Sequence, residues 1–173
     1  MKTIPFLLLF AFSITLSAQQ LVSGSVNKLR GQRQMSFTID YSKARIDGMT
    51  ESMFRVQRTL EEEHADGWED RWEGKTLPKL RSSFCNGENE CTYLKMGNYK
   101  NTKYTATYVV EELRTNGTNW GKVIIRESAT GNEIAVISVK GSCSSKNGSW
   151  EYKMFDGMRD SGKKLGQYFR RKL

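Results

Sequence analysis

Residues 61–73, "EEEHADGWEDRWE", gather the chain's single histidine, two tryptophans and seven carboxylates. Paired carboxylates hydrolyse glycosides when one is a proton-carrying acid and the other an ionised partner. Trp68 and Trp72, one helical turn apart beside Arg71, could offer flat rings to a sugar or a base. Each feature also has a structural explanation. Asp66 with Glu69 three residues on has the spacing of a helix capping box, with Asp in place of Ser or Thr. The tryptophan spacing fits a helix face laid on a core better than a ligand platform. His64 would have to carry any Ser-His-Asp or Cys-His chemistry alone, and no G-x-S-x-G pattern accompanies it. Nor is there a D-x-D-x-D-G spacing for calcium.

The second chemical candidate is the closing stretch "SGKKLGQYFRRKL", residues 161–173. Lys163, Lys164, Arg170 and Arg171 could grip an anionic partner. Cations in the last turns of a helix also complement its negative end, so the cluster has a reason to exist without a ligand. The chain carries a formal charge of +8 and is polarised: residues 51–74 are acidic, while the tail and the segment from Lys28 to Arg45 are basic. Such asymmetry steers a protein toward anionic surfaces or provides complementary patches within the fold or between copies.

Three cysteines complete the reactive inventory. Cys85 and Cys91 flank "NGENE", whose Asn-Gly is a turn signal that predicts a local disulfide, leaving Cys143 in a Gly/Ser-rich loop. Without a C-x-x-C pair, and with one histidine, no metal site is expected, and no cofactor is implied.

The first stretch, "MKTIPFLLLFAFSITLSAQQ", has a basic start at Lys2, an apolar run from Phe6 to Leu16 and small residues at Ser17 and Ala18. It predicts a signal peptide over 1–18, too short in its apolar part to span a bilayer. The remaining 19–173 predict a single α+β domain. Residues 34–41 alternate with period two, placing Met35, Phe37, Ile39 and Tyr41 on one side of a strand. Residues 49–64 carry Met49, Met53, Val56 and Leu60 as the stripe of a helix facing a core. A second helix is expected over 68–84, with a break or kink near Pro78, and further strands over 91–96, 103–113, 121–128 and 133–140. The last three form an antiparallel meander, giving a mostly antiparallel sheet. A final helix over 150–172 puts Met154, Met158, Leu165, Phe169 and Leu173 on one face, with Gly162 and Gly166 letting that face sit close on the sheet.

The order "GQRQMSFTIDYS", "WEDRWE", "YTATYVV", "ESATGNEIAVISVKG" and "SGKKLGQYFRRKL" resembles a family of small exported proteins of unknown function from Bacteroides-type bacteria. The likeness spans nearly the whole mature chain, and Arg159 falls where a basic residue is expected before the last helix. The Cys85–Cys91 segment departs from that pattern. A fainter likeness, of fold only, is to periplasmic domains such as those of curli-secretion channels. The resemblance implies export and an α+β fold and brings no catalytic residues. The sequence thus predicts an exported module, periplasmic or secreted, that binds an envelope component, either a protein or a glycan, without catalysis. The alternatives are a glycan hydrolase using carboxylates of 61–73, and a basic module docking on anionic envelope surfaces. No specific nucleic acid is expected as a partner, and the chain is not expected to span a membrane.

Overall fold

A computed structural model of the chain describes residues 19–61 and 67–173, and of Trp68 and Glu69 the backbone alone. The expected signal peptide, His64 and the Asp66 side of the expected capping box lie outside the described residues. Strand β1 (Gln19–Gly24) is followed by a 3-10 turn (Val26–Leu29), β2 (Gln34–Asp40), the short β3 (Arg45–Ile46) and β4 (Met49–Thr50), and helix α1 (Glu51–Glu61). Then come α2 (Trp68–Arg71), a π-helical segment (Trp72–Thr76), α3 (Leu77–Cys91), β5 (Lys95–Gly97), β6 (Tyr104–Leu113), β7 (Asn119–Glu127), β8 (Glu133–Gly141) and α4 (Trp150–Lys172).

The architecture is α+β, with a mostly antiparallel sheet in the order β1-β8-β7-β6-β2-β5. Alternation along β6, β7 and β8 makes the meander, and Tyr108, Val123 and Ile137 stand side by side across it as one buried row. β2 joins this meander in parallel with β6, and β5 then lies parallel to β2. A parallel return needs a long crossover, and the helical segment between β2 and β5 supplies it. Phe84 of α3 stacks on Phe37 of β2 at 4.9 Å and tilts against Tyr108 at 4.9 Å, which fastens the helical layer to the sheet.

Helix α4 buries Met154, Met158, Leu165 and Phe169 as its periodicity requires. Gly162 and Gly166, however, lie against α3 and not against the sheet. A methyl on Gly162 would overlap the Phe84 carbonyl, and one on Gly166 would meet Glu88 and Cys91. Gly87 of α3 reciprocates against the Arg159 carbonyl, so the two helices cross with backbones almost touching.

That crossing explains two further departures. The Asn86-Gly87 pair makes no turn: it lies inside α3, which runs on to Cys91, and the expected strand over 91–96 begins only at Lys95. Cys85 and Cys91 are consequently six residues apart on one helix, roughly 9 Å along its axis, beyond the roughly 7 Å Cα limit for a bridge. The expected disulfide is not present, and all three thiols are free. Pro78 sits in the first turn of α3, where its missing N–H disturbs nothing.

Helix α1 also presents a different face from the expected one. It buries Phe54, which packs against Trp72 at 5.4 Å and edge-on to Trp150 at 5.9 Å, whereas Met53, Val56 and Leu60 face outward.

Candidate binding surface

Of the residues expected to form a platform, the side chain of Trp68 lies outside the described residues. Trp72 is wholly buried, and its indole N–H donates to the Glu51 carboxylate at 2.8 Å. It therefore cannot offer a ring to a ligand. Arg71 is half-buried, with Nε 3.8 Å from Glu151 Oε1. Of the carboxylates in 61–73, Glu61 pairs with Arg58 at 3.1 Å and Glu73 with Arg55 at 3.0 Å. The basic residues of α4 divide into two groups. Lys163 reaches Glu90 at 3.5 Å, while Lys164 pairs with Asp160 at 2.7 Å and donates to the Lys140 carbonyl. Arg170 and Arg171 lie at the far end of α4, where Arg171 donates to Gln19 Oε1 at 3.3 Å.

What the fold does assemble is a groove on the outer side of α3 and α4. Because their contact is closest around Gly87 and Gly162, the helices leave a cleft of about 610 Å³ lined by Ser83, Asn86 and Glu90 from α3 and by Tyr152, Phe155 and Arg159 from α4. A second hollow of about 220 Å³ shares Asp156 and Arg159 with it and continues to Ser142, Ser144, Lys163 and Lys164. The loop after β8 is tied down there, since the Ser142 N–H donates to Asp160 at 3.0 Å and the Ser144 N–H to Asp156 at 3.3 Å.

Charges in this groove are matched. Arg159 donates through Nε and Nη2 to Glu90 Oε1 at 3.2 and 2.5 Å. These bonds hold the Glu90 carboxyl below its usual range, with Lys163 adding to the effect. A glycosidic general acid needs the opposite displacement. The groove can therefore offer hydrogen bonds of both signs, an exposed amide at Asn86 and the exposed ring of Tyr152.

Two buried polar constellations lie in the interior between the helices and the sheet. Tyr108 and Ser161 both donate to Asn119 Oδ1, at 3.1 and 2.6 Å, linking β6, β7 and α4. Glu88 of α3 has no exposed surface. Its Oε2 accepts from the Met96 N–H at 3.3 Å, and its Oε1 has no partner among the described residues. Burial pushes this carboxyl up to about 8, against the opposing pull of the Met96 N–H and of Lys95. On the other side of α3 a cleft of about 600 Å³ runs beside Tyr41, Leu77, Arg81 and Cys85. Burial lifts the Cys85 thiol to about 11, which disfavours the reactive thiolate.

Sequence reasoning missed Asn86, Glu90, Tyr152 and Arg159, because residues from two helices about seventy positions apart share no local pattern. The available signal was the set of glycines inside helical stretches, at 87, 162 and 166, which marks a close helix crossing. Among the described residues, no helix is long and apolar enough to cross a membrane, and no group of three or more His, Cys, Asp or Glu side chains is placed to hold a metal.

No protein-family model and no curated protein matches the chain. Among solved structures it is similar to the PelC dodecamer from Paraburkholderia phytofirmans, with 11% identity, 84% of this chain and 96% of that chain covered, and a TM-score of 0.42. A single-substitution variant of the same dodecamer gives 13% identity, 85% and 97% coverage and a TM-score of 0.42.

Proposed function

We propose that residues 1–18 are a signal peptide and that 19–173 form one exported domain, periplasmic or secreted. In this reading it binds an envelope component along the α3–α4 groove and performs no chemistry of its own. The basic start at Lys2, the apolar run from Phe6 to Leu16 and the small residues Ser17 and Ala18 support the export. The observation that carries the binding role is the continuity of the two hollows through Asp156 and Arg159, which makes an elongated polar track beside the half-exposed Tyr152 ring. Such a track suits a hydroxyl-rich chain, a glycan, whose hydroxyls both donate and accept and whose ring faces stack on an aromatic side chain.

A polyanion fits less well, because Arg159, Lys163 and Lys164 are already neutralised by Glu90 and Asp160. Hydrolysis is disfavoured because Glu90 is held ionised, while Glu61 and Glu73 are engaged by arginines. The test is titration of the exported protein with soluble neutral and anionic envelope oligosaccharides, followed by amide NMR shifts. Saturable shifts centred on Asn86, Tyr152 and Arg159, lost in Tyr152→Ala, are expected for the neutral set. Shifts confined to other surfaces would overturn the assignment, as would release of reducing ends.

A further inference from the structure

The cleft on the far side of α3 borders a stretch of sheet edge that no strand covers. Strand β5 pairs with β2 only from Gln34 to Ser36, whereas β2 runs on to Asp40 against β6. Successive residues of a strand turn their N–H and C=O groups to opposite neighbours. The Arg33 carbonyl accepts from the Lys95 N–H at 2.8 Å, so Arg33, Phe37 and Ile39 face the β5 side. At Phe37 the carbonyl accepts from Arg81 Nε and Nη2, at 3.1 and 2.6 Å. Arg81 thus stands where a longer β5 would donate. Beyond it, the N–H and C=O of Ile39 have no partner on that edge among the described residues.

Helix α3 forms the opposite wall. Pro78, Arg81, Ser82, Cys85 and Asn89 recur at helical spacing along the cleft of about 600 Å³, across from Ile39 and Tyr41. From Leu77 to Asn89 this wall is roughly 18 Å long, which accommodates about five residues of extended chain. Ile39, Tyr41 and Leu77 make one part of it apolar. Arg81 retains Nη1 beyond its bonds to the Phe37 carbonyl, and no carboxylate among the described residues pairs with it. Glu73, at the rim, is held by Arg55 at 3.0 Å.

We infer that this cleft takes an extended, acidic segment of a partner polypeptide as an added strand on β2. Its backbone bonds to Ile39, an apolar side chain lies over Leu77 and Tyr41, and a carboxylate pairs with Arg81. The edge selects a peptide, because an unpaired donor and acceptor on a strand are matched by the backbone of another strand. Arg81 selects the charge, because a guanidinium without an acidic partner in a partly apolar hollow favours a carboxylate. Neither Tyr152 nor Arg159 lines the cleft, so docking here is independent of what the α3–α4 groove binds.

Fluorescence anisotropy of the exported protein with a panel of short peptides reads the docking; in the panel Val, Leu or Tyr alternates with Thr, and one Glu is moved through the sequence. Hydrogen exchange at Ile39 is the local probe. In the unliganded protein the Ile39 amide should exchange faster than those of Thr38 and Asp40, which face β6, and bound peptide should slow it at least about tenfold. N-methylating the peptide residue opposite Ile39 should weaken binding about tenfold. Changing the peptide's Glu to Gln should weaken binding about three- to tenfold in the wild type and not in Arg81→Gln. Ser82→Tyr, at an exposed position in the cleft, should block binding with melting unchanged, and Tyr152→Ala should bind as wild type does. Four outcomes would overturn the proposal: no peptide of the panel binds, N-methylation has no effect, the Ile39 amide is protected before peptide is added, or laurate occupies the cleft in place of every peptide.

Discussion

Replacing Glu88 with glutamine tests the helix–sheet interior directly. The carboxyl lies without exposure beside the α3–α4 crossing, and burial raises it from 4.5 to about 8. In the native state it therefore binds a proton that the unfolded chain has released between these values. Its favourable, protonated form is fully present below about 4.5, and stability falls as pH rises toward 8. At about 1.4 kcal/mol per unit, the displacement corresponds to an upper bound on the order of 5 kcal/mol between pH 4 and pH 9. Relaxation around the charge lowers that figure, and about 2–4 kcal/mol is the reasonable expectation. Glutamine is neutral throughout, and its carbonyl can still accept from the Met96 N–H. Urea unfolding midpoints at pH 5, 7 and 9 should thus show Glu88→Gln within about 1 kcal/mol of wild type at pH 5 and more stable at pH 9. Parallel pH profiles for the two proteins, or a variant less stable at pH 9, would refute the reasoning.

Leu165→Ala or Phe169→Ala empties a wholly buried site and should cost about 2–5 kcal/mol in chemical unfolding. Replacing Lys163, Lys164, Arg170 and Arg171 together by Gln should change stability far less, since the ion pairs of Lys163 and Lys164 are partly open to water and Arg170 and Arg171 are exposed. Gly162→Ala drives a methyl into the Phe84 carbonyl and should lower stability by at least about 1–3 kcal/mol, whereas Gly74→Ala, with open space around it, should be neutral or stabilising in the same melting experiment. Thiol labelling of the native protein should modify the half-buried Cys91 and Cys143 before the buried Cys85, and non-reducing peptide mapping should find no Cys85–Cys91 bridge.

The sequence by itself determined the meander and the last helix. Tyr104, Ala106, Tyr108 and Val110 alternate strictly, and Met154, Met158, Leu165 and Phe169 recur with helical period, so each segment has one face that must leave water. Period alone does not say what a face meets. Along α1 both Phe54 and the Met53–Val56–Leu60 stripe are compatible with a helix, and only the pocket between Trp72 and Trp150 decided that Phe54 goes inside. β1 was illegible because "QQLVSG" lies at the sheet edge, exposed over most of its length and broken by a bulge, so burial imposes no alternation on it. The Asn86-Gly87 pair reads locally as a turn. Tertiary packing reversed that reading, because α4 can approach α3 only where a side chain is missing, and Gly87 is worth more to the fold as that gap than as a bend. The groove was decided at the same point: helices that touch at glycines must separate where larger residues begin, and the space between them is what brings Asn86, Glu90, Tyr152 and Arg159 together.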